Sequence, residues 1–157
     1  MFRLGSRLPG WLLCCSLALS PSQLRADIAV VVRADNPVEG LSMADVRKIL
    51  LGEQQFWKGD LRVTLLLRAP GSAEREVVLR VGYRMSEAEF RQYWISKMFR
   101  AEASSGPKLV HSNPMATDLV GVLPGSVAFV DAAQVPRGLK TLPINGKLPG
   151  QPGYPLK

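Results

Sequence analysis

Arg68, Pro70, Gly71 and Ser72 form the cluster in this 157-residue sequence whose residue types and spacing point to a binding chemistry. Arg68 closes a run of branched residues, Leu61 to Leu67, that reads as a strand. Ala69-Pro70-Gly71-Ser72 then turns the chain into a helical pattern. The open amides of a helix start, a serine hydroxyl and an arginine fork together favour an anion. Their place, beyond the carboxyl end of a strand, is where open α/β sheets collect ligands. The same residues fit an N-cap serine beside a surface arginine equally well, so both readings stand at this level.

Other chemistries lack their parts. His111 is the single histidine, which leaves catalytic triads and histidine-based metal sites without ligands or a base. It reads as a loop or strand-end residue with a local hydrogen bond. Glu74, Glu76, Glu87 and Glu89 lie at helix starts, where carboxylates complement the helix dipole, and their spacing does not make a general acid and base pair. An enzyme is not expected, nor a metal or cofactor.

The N-terminus carries Arg3 and Arg7, then the apolar run Trp11 to Leu19, then a polar stretch ending at Ala26. This is the layout of a secretory signal peptide, residues 1–26, with an apolar core shorter than the roughly 20 residues a membrane anchor needs. Pro9, Gly10, Ser20 and Pro21 interrupt helical continuity at both ends, against the alternative of a buried helix. Leu24 is large for its place three residues before the end of that segment, so cleavage is expected near Ala26 without an exact site. Cys14 and Cys15 both fall inside the apolar run and neither follows a small residue, which argues against lipidation. A chain beginning at Asp27 is therefore cysteine-free, with no disulfide or thiol chemistry. It loses Arg3, Arg7 and Arg25 and no acid, taking the formal charge from +7 to +4. Its basic residues are dispersed and lack aromatic interleaving, so nucleic acid is not an expected partner.

The elements that must position Arg68 and Ser72 read as alternating strands and helices. Ile28 to Val32 is a continuous apolar run predicting a strand buried on both faces, as in a parallel sheet. Ser42 with Asp45 starts a helix whose Val46, Ile49 and Leu50 face the core and which stops at Gly52. After the Pro-Gly-Ser turn, Val77, Val78 and Val81 line one side of a second helix. Ser86 with Glu89 caps a third, whose Phe90, Tyr93, Trp94 and Met98 are expected in the core. A loop at Ala103–Pro107 follows, then a helix from Ser112 or Asn113 to about Leu123, a turn at Pro124-Gly125, a strand at Val127–Val130 and an extended segment at Leu139–Ile144. A tail rich in Pro and Gly runs from about residue 145. The expected architecture is one α/β domain, residues 27–157, with helices on both faces of the sheet.

In this order the landmarks resemble the periplasmic phosphate-binding proteins of ABC importers, in the part of their fold that carries an Arg-x-x-Gly-Ser-Gly-Thr loop. Leu41-Ser42, Val46, Ile49, Leu50-Leu51-Gly52 and Trp57 resemble the helix and tryptophan preceding that loop, and Arg68-Ala69-Pro70-Gly71-Ser72 occupies the loop itself. Pro124-Gly125-Ser126-Val127-Ala128-Phe129-Val130 is similar to a late strand of the family, and Gly153-Tyr154-Pro155-Leu156 to its ending. The resemblance covers nearly all of the chain after residue 26. It is nearest to small single-domain members, in which the loop is followed by Glu-Arg, here Glu74-Arg75, and by Met-Ser, here Met85-Ser86.

The resemblance implies a layered α/β/α, type II periplasmic-binding-protein-like domain of a single lobe. It implies a periplasmic solute-binding protein of the phosphate transport type, with phosphate or a related oxyanion as ligand and an ABC permease or membrane receptor as partner. The implied anion contacts are Arg68, Gly71 and Ser72 with the amides of Ala73 and Glu74. Ala73 and Glu74 stand where the family has Gly and Thr, so a donor hydroxyl is lost and a carboxylate enters the site unless it turns away or pairs with Arg75. The chain is also too short for the two-lobed clamp of an importer protein. An alternative is a periplasmic interaction or sensory module that keeps the fold without transport.

Overall fold

The computed structural model describes residues 26–157, so the segment read as a signal peptide lies outside the described residues up to Arg25. Five strands, β1 (Ile28–Arg33), β2 (Thr64–Arg68), β3 (Lys108–Val110), β4 (Ser126–Asp131) and β5 (Leu139–Leu142), form one mixed sheet in the order β3-β2-β4-β1-β5. β2 runs parallel to both β3 and β4, whereas β1 is antiparallel to both β4 and β5.

That pairing corrects the expectation for Ile28–Val32. The run is buried on both faces, but its neighbours are antiparallel. Double burial requires helices on both sides of the sheet, and a central strand of a mixed sheet receives them whatever its direction. Ile28, Val30 and Val32 pack to one face, with Val46, Ile49 and Leu50 of α1 (Met43–Leu50) and Phe90 and Trp94 of α3 (Glu87–Phe99). Ala29 and Val31 pack to the other, against Ala116 and Val120 of α4 (Asn113–Val122). The result is the layered α/β/α arrangement.

Local signals set most boundaries. Capping boxes are present at Ser42/Asp45 and Ser86/Glu89, Gly52 closes the first of these helices at φ +66°, and Ser112 caps α4 ahead of Pro114. The regular strand expected from Leu61 begins only at Thr64. The residues before it pair back on the preceding chain, with Trp57 N donating to Leu61 O and Val63 N to Gln55 O. The helix after the Pro-Gly-Ser turn is α2 (Ala73–Val77) followed directly by a π-helical stretch, Val78–Tyr83, that a left-handed Arg84 ends. The extra residue in that turn buries Leu79 and leaves Val81 half-buried. It also brings Gly82 against α1, where an added Cβ would lie 2.4 Å from Leu50 Cδ1. Tyr83 fixes the contact by donating its hydroxyl to Leu50 O at 2.5 Å.

One further expectation is corrected. Phe90 and Trp94 are core and Tyr93 is half-buried, but Met98 is exposed, the buried place in the last turn of α3 being taken by Lys97. The Pro- and Gly-rich tail packs onto the first strand. Tyr154 and Leu156 are buried, Ile28 N donates to Leu156 O at 2.9 Å, and Tyr154 donates its hydroxyl to Ile28 O at 2.7 Å. Among the described residues no helix is long and apolar enough to cross a membrane.

Candidate functional site

The parallel strands β2 and β3 end side by side, Arg68 opposite Val110. Two helix starts follow from those ends, α2 after Ser72 and α4 after Ser112. The topology thus gathers Arg68, the Pro-Gly-Ser turn and the first residues of both helices at one end of the sheet. Gly71 has φ +86°, which permits the turn, and nothing lies within 4 Å of where its Cβ would be.

The side chains of the cluster are largely spent on one another. Ser72 Oγ accepts from Arg75 N at 3.3 Å as the helix cap and donates to Ala69 O at 2.9 Å. Of the two readings left open for this serine, the structure displays the cap. Arg68 is half-buried, and its Nη1 reaches Val110 O at 3.5 Å. Glu74 is buried, with Oε2 3.5 Å from Arg68 Nε and Oε1 accepting from Asn113 Nδ2 at 2.6 Å. The carboxylate neither turns away nor pairs with Arg75. It lies between the guanidinium of β2 and the amide of α4, as an anion internal to the fold.

Arg75 has its own partner. Its Nε and Nη2 grip Glu87 at 2.9 and 2.8 Å, its Nη1 donates to Arg68 O at 3.0 Å, and its guanidinium lies 4.6 Å from the Phe90 ring centre. Those hydrogen bonds hold the Glu87 carboxyl below the usual carboxylate range. Arg75 therefore props the strand end that carries Arg68.

The cluster is incompletely satisfied. Arg68 Nε and Asn113 Oδ1 are buried and have no hydrogen-bond partner of acceptable geometry. A depression of about 210 Å³ lies against Ala73 and Glu74, floored by Ile28 and Val77, and the acids Glu76 and Asp131 line it together with Arg80. That lining repels an anion approaching from this side.

Asn113 was not among the residues singled out by sequence. Its signal was present in Ser112-Asn113-Pro114 as a helix start, but only the β2–β3 pairing shows that this start faces Arg68. His111 sits just past β3 and is exposed, with its backbone amide 3.5 Å from Met115 Sδ. Among the described residues no group of three or more His, Cys, Asp or Glu is placed to hold a metal ion.

No family model matches the chain and no curated protein matches it. Solved structures do. A phosphate ABC transporter substrate-binding protein of Clostridium perfringens with bound phosphate aligns at TM-score 0.64 and 16% identity, over 78% of this chain and 46% of that one. An ABC-type phosphate transport receptor of Vibrio cholerae aligns at 0.63 and 20%, over 79% and 48%. PstS of Borrelia burgdorferi aligns at 0.66 and 17%, over 83% and 54%. The chain spans about half the length of these neighbours, and it carries the solute-binding-protein fold of the phosphate importers that its sequence resembles.

Proposed function

We propose that the chain is an exported, single-lobed solute-binding-like protein of the phosphate type, working in the periplasm as a binding protein and not as an enzyme. Its oxyanion site is Arg68 with Gly71, Ser72, Ala73 and Glu74, and it is self-occupied. The observation that carries this reading is the Glu74 carboxylate seated between Arg68 and Asn113. Phosphate or a related oxyanion competes with a tethered anion for the same guanidinium, so its affinity is set by how readily Glu74 gives way. In this reading the partner is an ABC permease or another membrane receptor.

A second reading is favoured by the same carboxylate together with the acidic lining beside it. Here the lobe keeps the fold as a periplasmic interaction or sensory module, and the Arg68–Glu74 pair is a structural latch.

Isothermal titration of residues 27–157 with phosphate, sulfate and arsenate separates the two, using wild type, Glu74→Thr and Arg68→Ala. Binding by the wild type that disappears in Arg68→Ala supports the first reading. Binding by Glu74→Thr alone means that the cradle survives but is latched, which supports the second. Silence of both removes the oxyanion reading altogether.

A further inference from the structure

We propose that a second binding site, for a small organic anion with an apolar body, lies at the opposite end of the sheet from Arg68. A cavity of about 290 Å³ opens where β2 and β3 begin, between the exit of α1, the side of α3 and the loop at 103–107. It is separate from the oxyanion cluster and goes beyond the reading above.

The floor is apolar. Ile49, Leu65 and the benzo edge of the Trp94 indole form it, and Trp94 is pressed between two glycines. A Cβ at Gly52 would lie 2.8 Å from Trp94 Cη2, and one at Gly106 would lie 3.8 Å from Trp94 Cε3. The aromatic edge is thereby fixed in place and walled by backbone. Gln55 ties the two sides of the cavity by donating to Gly52 O at 3.4 Å and Glu102 O at 3.2 Å.

The rim is cationic. Arg62 and Lys108 both line the opening, and among the described residues neither forms an ion pair. Arg62 is oriented by a 2.8 Å hydrogen bond from Nη2 to Ser104 Oγ. The nearby acid Glu102 is already bound by Arg100 and Lys97. Two uncompensated cations above an apolar floor call for a ligand with both characters, and a carboxylate on an aromatic ring or a branched aliphatic chain has them. Inorganic phosphate lacks the apolar body and leaves the floor unused.

The test is a titration of isotope-labelled residues 27–157 with sodium benzoate and 4-methylpentanoate, followed through amide shifts. Benzamide serves as the uncharged control and inorganic phosphate as the control without an apolar body. The expected result is saturable shifts at Gly52, Ala103 and Gly106 at millimolar or lower ligand. The affinity falls about tenfold or more in Arg62→Gln/Lys108→Gln and with benzamide. Both substituted cations are exposed, so the variant keeps the fold. Absence of saturable shifts, shifts centred on Ser72, or equal affinity in the double variant or for benzamide each overturns the proposal.

Discussion

Removing the internal carboxylate tests what the Arg68–Glu74 pair does. In Glu74→Ala the Arg68 guanidinium, on a side chain only 13% exposed, loses its counter-charge, and Asn113 Nδ2 loses its acceptor. Truncating one partner of a fully buried pair costs roughly 3–5 kcal/mol. The 3.5 Å separation and the residual exposure of both side chains lower this to about 2–3 kcal/mol. For a domain of this size a loss of about 2 kcal/mol lowers Tm by roughly 6–10 °C. An anion that takes the place of the carboxylate restores stability by linkage, about 2.7 kcal/mol when present at roughly 100 times its Kd. Thermal melts in low-salt buffer, with phosphate or with chloride at matched ionic strength, are the assay. The variant is expected to melt well below the wild type in chloride and to recover several degrees in phosphate, while Arg68→Ala/Glu74→Ala does not respond. A variant that melts with the wild type, or that chloride rescues as well as phosphate does, would refute the assignment of Glu74 as an internal anion.

Two glycines give contrasting expectations. At Gly125, with φ +75°, an added Cβ would lie 2.1 Å from Arg62 O, so Gly125→Ala combines left-handed strain with a backbone clash and costs about 3 kcal/mol by denaturant titration. Gly71→Ala meets no neighbour and carries only the conformational cost, about 1–2 kcal/mol. Stability against pH follows from the carboxyls held low in the fold: Glu87 by Arg75, Asp45 by Ser42 and Glu89 by the Ser86 backbone. A folded pKa below the unfolded one contributes stability above the unfolded value, and that contribution is lost as pH falls through the folded value. Tm is therefore expected to be flat from neutral pH to about 5 and to fall below about 4, with a shallower fall in Glu87→Gln.

Features governed by neighbours in sequence were legible from the sequence. Ser42/Asp45 and Ser86/Glu89 cap helices because a capping box closes within four residues, and Gly52 stops α1 because its left-handed φ is a single-residue property. What depends on partners far along the chain was not. The direction of the strands beside β1 is invisible in Ile28–Val32, since burial on both faces leaves the same apolar run in either arrangement. Met98 continues the spacing of Phe90 and Trp94, but the buried place in that turn falls one residue earlier, on Lys97. For the candidate site, Arg68, Gly71 and Ser72 could be picked out from a strand, a turn and a cap. The carboxylate of Glu74 could be placed only once the pairing of β2 with β3 brought Asn113 to it. Ser72 illustrates the limit most plainly. Its type fitted an anion contact and a helix cap alike, and its hydroxyl makes two hydrogen bonds inside the turn.

The placement of β1 bears on the order in which the chain can assemble. This first strand pairs with β4 and β5, and its leading amide is held by Leu156, so every strand it pairs with lies beyond Gly125. The centre of the sheet cannot close until almost the whole polypeptide has been synthesised. Non-local closure of this kind is slow compared with helix formation. Refolding is therefore expected to be limited by this long-range closure and not by the formation of the helices, whose contacts are local.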